Sequence, residues 1–164
     1  MLSAAFLEAV TTSIGADIID SSAEVLESHG QDWTRVYTPN PAAVAFPRST
    51  DDVSKLLKLC NEHGLAVVPS GGRTGLAAGA VATQGELVVS LDKMNHIGEV
   101  SKLSRTVRVQ GGAITAAVVP RAPQRATRQF QYADGRILRK FCAKLHLILV
   151  GCVSGNARIQ ILPS

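Results

Sequence analysis

The chain has 164 residues, 46% of them hydrophobic and 18% charged, which is typical of a globular protein with one substantial domain and excludes a disordered chain. No apolar run approaches the roughly 20 residues that a membrane-spanning helix needs. The net charge of +4 is unevenly divided: residues 1–118 carry nine basic and twelve acidic side chains (−3), whereas residues 119–164 carry eight basic and one acidic side chain (+7).

The cysteines and histidines indicate neither a disulfide framework nor a metal site. Cys60, Cys142 and Cys152 are odd in number and lack C-x-x-C spacing, which favours a reducing compartment. The four histidines show no spacing typical of metal ligands, so no metal ligand is predicted. The first 15 residues contain no Lys or Arg, unlike a signal or transit peptide. We therefore expect a cytoplasmic protein.

Residues 1–38 are predicted to form a helical lead-in. Ser3 can cap a short helix, on which Phe6, Leu7 and Val10 share one face. Weaker apolar periodicity continues along the rest of the segment. Nothing in this part of the sequence argues for catalysis.

A strand–helix–strand unit follows the lead-in. Residues 43–46 predict a strand, and Ser49 or Thr50 then caps a helix that ends at Gly64. The apolar stripe of this helix consists of Val53, Leu56, Leu57 and Cys60. Because Cys60 lies on that stripe, it is predicted to be a small buried hydrophobe instead of a reactive thiol. The second strand, residues 65–68, should run parallel to the first and end at a carboxyl edge of the sheet, where open α/β sheets bind ligands.

Residues 69–79, Pro-Ser-Gly-Gly-Arg-Thr-Gly-Leu-Ala-Ala-Gly, form a glycine-rich loop directly after the second strand. Glycine permits positive φ and close backbone approach, so successive amide N–H groups can converge on one anion. Ser70 and Thr74 would add hydroxyl donors, and Arg73 would add a positive charge. The loop therefore predicts a phosphate or pyrophosphate site, with an ordinary glycine-rich turn as the alternative.

Two familiar phosphate loops do not fit this stretch. A P-loop needs Lys and then Ser or Thr after its last glycine, but Gly75 is followed by Leu76. The spacing of the Rossmann pattern, G-x-G-x-x-G at the start of a helix, is also not matched. A nucleotide held here would need another architecture.

Three more strands are predicted after the loop, at residues 87–91, 97–100 and 106–109. The connection between the last two has the length of a hairpin loop. Residues 113–118 then read as the start of a helix that follows a pair of glycines.

The order of these motifs resembles the first half of the FAD-binding domain of FAD-linked oxidases, the vanillyl-alcohol-oxidase and cresol-methylhydroxylase type. The segments that carry the resemblance are residues 45–53, the glycine loop, residues 86–95 and residues 106–112. Residues 31–37, Gln-Asp-Trp-Thr-Arg-Val-Tyr, resemble the lead-in of one branch, the FAD-dependent D-2-hydroxyacid dehydrogenases, which act on D-lactate, glycolate or D-2-hydroxyglutarate. The resemblance extends from about Gly30 to about Val118.

The resemblance implies an α+β fold, the first subdomain of such an FAD-binding domain, with a small mixed sheet, flanking helices and an irregular C-terminal tail. It divides the chain into the lead-in at 1–38, a partial FAD-binding subdomain at 39–118 and an atypical basic tail at 119–164. The pyrophosphate of FAD would lie along the glycine loop. The implied cofactor-binding residues are Ser70, Gly71, Gly72, Arg73, Thr74, Gly75, Leu76 and Gly79.

The resemblance also limits what this chain can supply to a reaction. Some relatives attach flavin through a histidine in this loop, and Arg73 stands at that position, so non-covalent FAD is expected. Hydride would pass from C2 of the substrate to flavin N5. The substrate-binding residues of the family lie in a later domain, so no catalytic residue can be named here.

The sequence changes character after residue 118. Pro120 and Pro123 interrupt the predicted helix, arginines recur without acidic partners, and no Glu follows Glu99. This change suggests a tail that is read out of frame, so that the chain would be a truncated relative. Two alternatives to a dehydrogenase therefore stay open: a non-catalytic nucleotide-binding fragment, and, less favoured, a nucleic-acid-binding protein with a basic tail.

Overall fold

The structure, a computed structural model, describes residues 2–101, 106–114, 117 and 157–160. The chain divides into two compact units, Met1–Lys93 and Met94–Ser164. Each unit has its own sheet, and each is described by itself below.

The first unit is built on a mixed sheet of four described strands. These are β1 (Ile19–Asp20), β2 (Ala43–Ala45), β3 (Val67–Ser70) and β4 (Leu87–Ser90), in the order β1-β2-β4-β3. β2 and β3 both run parallel to β4, and β1 is antiparallel to β2. The predicted parallel arrangement is confirmed, with β4 inserted between the two strands of the strand–helix–strand unit. The carboxyl ends of β2, β3 and β4 therefore meet at one edge.

Three helices cover this sheet: α1 (Ala4–Ser13), α2 (Ala23–His29) and α3 (Thr50–Glu62). One cluster joins Phe6 and Val10 of α1 and Leu56 and Cys60 of α3 to the inward-facing residues of β2 and β4. A second cluster includes Val44 and Val88, which alternate with the first set along the strands, and packs against residues of α2. Hydrophobic burial on both faces fixes the register of the central strands.

The helix boundaries follow from their caps. Ser3 accepts a hydrogen bond from the Phe6 N–H at 3.2 Å, as predicted for α1. Leu7, which was predicted to share the buried face with Phe6, is instead 40% exposed, because Phe6 and Val10 at i and i+4 fill the contact with the sheet. At α3, Ser49 and Asp52 form a reciprocal capping box, and Gly64 follows the helix at φ 62°, a conformation that favours glycine.

The second unit contains β5 (Ile97–Ser101), β6 (Thr106–Val109) and β7 (Ala157–Gln160) in the order β5-β6-β7, all antiparallel. The predicted hairpin is confirmed, with an irregularity in register between Ile97 and Val100. β7 lies inside the segment predicted to be an irregular tail and was not predicted. The other predictions for residues 118–156 and 161–164 fall outside the described residues, as do residues 115, 116 and 118 of the helix predicted at 113–118. Ala113 and Ile114, where that helix was predicted to begin, have no regular secondary structure.

Candidate cofactor-binding site

The site is assembled where three parallel strands end. β3 ends at Ser70, and β4 ends at Ser90, its register partner. The Leu91 N–H donates to the Ser70 carbonyl at 2.9 Å, so the chain leaves both strands side by side. The glycine loop, residues 71–79, begins at this edge, as predicted. Ligands of parallel sheets bind at this edge because loops from neighbouring strands converge there.

The backbone amides of the glycine loop are available to a ligand. Within the part of the chain that the structure describes, the N–H groups of residues 71–77 donate no hydrogen bond. The loop has no regular secondary structure, and each of its residues from 71 to 79 is exposed or half-buried. Backbone donors require partners when a ligand excludes water, so this run of amides can bind an anion.

Ser70 places a buried hydroxyl at the start of this loop. Its side chain is fully buried, and its Oγ atom has no hydrogen-bond partner among the described residues. A buried hydroxyl without a partner costs free energy. Such an atom beside a run of unengaged amides fits a site that a polar ligand completes.

At Gly72 and Gly79 neither packing nor backbone conformation requires glycine in the free protein. A Cβ atom added at Gly72 or Gly79 would meet no atom within 4 Å, so a ligand has room to approach the backbone. The positive φ values of the loop belong to two non-glycine residues, Arg73 at 52° and Ala78 at 57°. Both are in the left-handed region, which is costly for residues with a Cβ atom.

Arg73 is held by an acidic residue that follows β4. Its Nη1 atom lies 3.2 Å from Oδ2 and 3.4 Å from Oδ1 of Asp92, and 3.5 Å from the carbonyl oxygen of Gly71. His29, the last residue of α2, donates from Nε2 to the same Oδ2 at 3.1 Å, since a carboxylate can only accept. The His29 ring packs edge-on against Phe46 at 5.0 Å. Asp92 thus joins the loop, β4 and α2.

Ala78 is held by a second carboxylate, at the other end of the loop. Asp32 is only 5% exposed and accepts hydrogen bonds from the Thr34 hydroxyl at 2.6 Å, the Thr34 N–H at 2.9 Å and the Ala78 N–H at 3.1 Å. These hydrogen bonds hold the pKa of Asp32 below its usual value, and the bond from the Thr34 hydroxyl has the largest effect. Burial acts in the opposite direction. The carboxylate is therefore ionised and fully engaged.

The structure thus places the predicted cofactor-binding residues at one sheet edge, Ser70 at the end of β3 and the others in the loop that follows it. Ser70 is the only buried member of the set, whereas the side chains of Thr74 and Leu76 are exposed. Sequence reasoning missed the anchoring roles of Asp32, Asp92 and His29. Asp32 and Asp92 did lie in two segments that carried the family resemblance, but only the contacts reveal what they do.

Comparison with known families shows which kind of domain contains this loop. The FAD-binding-domain family matches residues 41–135 of the chain, a range that begins just before β2 and includes the whole glycine loop. The chain belongs to this FAD-binding-domain family. The predicted cofactor, FAD, is confirmed. The unengaged amides, the unpartnered Ser70 hydroxyl and the open space above Gly72 fit the phosphates of that cofactor.

Curated relatives of this FAD-binding-domain protein include two bacterial D-2-hydroxyglutarate dehydrogenases. That of Stutzerimonas stutzeri (strain A1501) is 41% identical over 116 residues, which cover 71% of this chain and 25% of the relative. That of Xanthomonas citri pv. viticola is 50% identical over 93 residues, 57% of this chain and 20% of the relative. The chain therefore spans a quarter or less of the length of these two proteins.

Solved structures show the same fold. An alkyldihydroxyacetonephosphate synthase superposes with a TM-score of 0.65 at 15% identity, covering 73% of this chain and 24% of the other. A p-cresol methylhydroxylase superposes with a TM-score of 0.61 at 19% identity, covering 71% and 23%. The predicted α+β fold of the vanillyl-alcohol-oxidase and cresol-methylhydroxylase type is confirmed.

Two predicted absences can be compared with the described residues. None of the described helices has the length and apolar character needed to cross a bilayer. Within the same residues, no group of three His, Cys, Asp or Glu side chains is placed to hold a metal ion.

Proposed function

We propose that this chain supplies the pyrophosphate-binding part of an FAD-dependent dehydrogenase of D-2-hydroxyacids, of the D-2-hydroxyglutarate, D-lactate or glycolate class. The observation that carries this proposal is the run of unengaged backbone amides at 71–77, which follows the carboxyl end of β3, an edge strand of the sheet. The substrate class is supported by the names of the relatives, which include D-2-hydroxyglutarate dehydrogenases and a glycolate oxidase subunit of Bacillus subtilis.

The loop residues would hold the cofactor mainly through the backbone. The amides of residues 71–75 would donate to the pyrophosphate oxygens, and the Ser70 hydroxyl would add a side-chain donor. The remaining predicted positions, Leu76 and Gly79, continue the same loop. When bound, FAD supplies the two-electron acceptor for a hydride from C2 of the hydroxyacid. The groups that bind the hydroxyacid would come from outside the segment that the chain shares with its relatives.

We also propose that the flavin is held without a covalent bond. Arg73 occupies the loop position that the family resemblance assigns to a flavin-attaching histidine, and its guanidinium is engaged with Asp92. Acid precipitation of the flavin-loaded chain should therefore release all of the flavin into the supernatant. Flavin fluorescence that stays with the precipitated protein after denaturation would contradict this.

Copurification tests the binding proposal. The full 164-residue chain, expressed and purified, should carry flavin absorbance or take up added FAD. Gly72→Glu should abolish this binding, because it brings a carboxylate into the open space in which we place the phosphates, at a position with no steric obstacle. Gln84→Glu is the matched control, since it adds the same charge in the exposed turn before β4, at the opposite edge of the sheet, and should bind FAD normally.

Anaerobic reduction distinguishes the dehydrogenase from the non-catalytic alternative. If the chain has dehydrogenase activity of its own, D-2-hydroxyglutarate or D-lactate should bleach the bound oxidised flavin, whereas L-2-hydroxyglutarate should not. Flavin that binds but is reduced by none of these acids would indicate a nucleotide-binding chain without activity of its own, an alternative favoured by the quarter-length match to the relatives.

Two further expectations have weaker support. A cytoplasmic location is supported by the odd number of cysteines and by the buried free thiol of Cys60. Nucleic-acid binding by the basic segment 119–164 stays the least favoured prediction. It would require salt-sensitive retention on DNA that is lost when that segment is removed.

A further inference from the structure

We propose that Asp92 is a positioning residue for the cofactor loop, and that Arg73 serves as its partner and does not bind the phosphates. The inference rests on the proposed FAD-binding role of the loop and assigns different roles to its backbone amides and to the Arg73 side chain. In this arrangement the backbone amides bind the anion, and the Arg73–Asp92 pair holds those amides in place.

The contacts of Arg73 support this division. Its guanidinium faces both carboxylate oxygens of Asp92 and the carbonyl of Gly71, two residues earlier in the same loop. All three contacts are made by one nitrogen, Nη1, which therefore links the loop to the residue that follows β4. Only 29% of the Arg73 side chain is exposed, so most of it is packed and does not extend into solvent.

The backbone of Arg73 gives a second reason for an anchor. Its φ of 52° lies in the left-handed region, which a residue with a Cβ atom adopts only when its surroundings impose it. The two residues before Arg73 are Gly71 and Gly72, which have no side chains that could impose this backbone conformation on Arg73. The bond to Asp92 is a contact that can maintain this conformation.

Asp92 is itself held in place from two sides. His29 at the end of α2 donates to Oδ2, and the Asp92 N–H donates to the buried Ser90 hydroxyl at 3.3 Å. The His29 side chain is 15% exposed and packs against Phe46. Through Asp92, the loop is tied to elements that belong to the packed first unit.

The two possible roles of Arg73 predict opposite changes in FAD affinity when Asp92 is replaced by Asn. If Arg73 binds phosphate, Asp92→Asn releases its guanidinium and removes a nearby negative charge, and both effects should tighten FAD binding. If Asp92 positions the loop, the same substitution lowers the fraction of chains with a competent loop, and the apparent affinity falls by that fraction. We expect a loss of roughly two- to fivefold, the range typical of one partly exposed ion pair.

The experiment is an FAD titration of the full chain, followed by flavin fluorescence, for wild type, Asp92→Asn, Arg73→Gln and the double variant. Each single variant should bind FAD more weakly than wild type. The double variant should bind no more weakly than the weaker single variant, because both substitutions remove the same contact.

Glu62→Gln is the matched control: it breaks the exposed pair with Lys58 at the far end of α3 and should leave the affinity for FAD unchanged. Unchanged or tighter binding by Asp92→Asn, with weaker binding by Arg73→Gln alone, overturns the proposal.

A second measurement does not depend on FAD. In the free chain, the NMR order parameters of the amides at 71–75 should fall in Asp92→Asn relative to wild type and Glu62→Gln, and the coupling between HN and Hα of Arg73 should move away from its left-handed value. If the wild-type chain bound no FAD, the proposed function would be contradicted. The NMR comparison would still decide whether Asp92 positions the loop, because it is made on the free chain. An unchanged loop in Asp92→Asn overturns the inference even if FAD binds.

Discussion

At the scale of single residues, Ser70 is where stability and the proposed cofactor binding should separate most clearly. Its hydroxyl is fully buried at the end of β3 and has no partner among the described residues. An unsatisfied buried hydroxyl destabilises the free protein, but the same group can donate to a bound phosphate. Such a conflict between local stability and ligand binding is expected at functional sites.

Ser70→Ala should therefore change stability and binding in opposite directions. Removal of the hydroxyl should leave the free energy of unfolding unchanged or raise it by about 1 kcal/mol. FAD affinity should fall by roughly 10- to 150-fold, the effect of one lost hydrogen bond to a charged group of about 1.5–3 kcal/mol. Urea denaturation without FAD and an FAD titration measure the two effects. A parallel loss of both would mean that Ser70 has a structural role only.

Asp32, unlike Ser70, has hydrogen-bond partners for its buried side chain in the free protein, so it should stabilise the fold. Asp32→Asn should reduce the free energy of unfolding by roughly 1–3 kcal/mol at pH 7, since the amide cannot accept from both Thr34 and Ala78. The measurement is urea denaturation of both proteins at several pH values.

The sign of the pH dependence follows from the pKa of Asp32, which is lowered in the folded protein. The stabilisation is present at pH values above the unfolded-state pKa of about 3.9. It is lost as the pH falls below that value and through the folded-state pKa. The stability difference between wild type and Asp32→Asn should therefore narrow below about pH 4. A difference that stays constant down to pH 2 would show that the carboxylate charge does not matter.

At the scale of elements, α3 shows how local sequence specifies structure when all signals agree. Ser49 and Asp52 cap the helix reciprocally, and Gly64 follows its end with positive φ. Of the predicted apolar stripe, Val53, Leu56 and Cys60 are buried, whereas Leu57 is half-buried. The strands were less well predicted at their ends. β3 begins at Val67, two residues later than predicted, and continues through Pro69 and Ser70, because pairing with β4 in the folded protein determines where it ends.

Cys60 on α3 should be chemically inert in the folded chain. Burial raises the pKa of its thiol to about 11, and the thiolate is the reactive form. At pH 8, iodoacetamide should leave the peptide containing Cys60 unmodified in the native protein and label it rapidly in urea. Mass spectrometry of the peptides after a timed reaction measures this. Fast native labelling would contradict the prediction that Cys60 is a buried hydrophobe.

At the scale of the whole molecule, the chain combines a well-packed first unit with the proposed FAD-binding loop. Anything that binds only the folded state raises the apparent stability in proportion to the logarithm of its concentration. FAD should therefore raise the Tm of the full chain, in a concentration-dependent manner. ADP, which carries the two phosphates without the flavin ring, should do the same with a smaller effect.

Gly72→Glu provides the control for this stabilisation. The variant should unfold at nearly the wild-type Tm without ligand, because a Cβ at this position meets no atom within 4 Å, and should show no increase with FAD or ADP. Differential scanning fluorimetry with ADP, or calorimetry with FAD, measures these shifts. An increase equal to that of wild type would place the phosphates away from the glycine loop.

The basic segment after residue 118 raises the question of where the family resemblance ends along the chain. The family match continues to residue 135, and the boundary predicted at residue 118 stays a prediction. Translation of the coding DNA in the two other frames tests the proposed change of frame, which fails if neither frame continues the family pattern. β7 at Ala157–Gln160 pairs with β6, although nothing in its sequence distinguished it from its surroundings.

The sequence by itself predicted α1, α3, the parallel strands, the glycine-rich loop after β3 and the resemblance to the FAD-binding family, but not β1, which lies inside the segment predicted to be helical. These follow from apolar periodicity, caps and the order of motifs, all of which are local along the chain. Only the tertiary structure decided which distant side chains anchor the loop. Asp92 reaches Arg73 because β4 lies beside β3 with Ser90 opposite Ser70, and Asp32 reaches Ala78 across 46 positions of sequence. Local patterns do not encode these contacts, because strand order and register are set by the packing of the whole sheet.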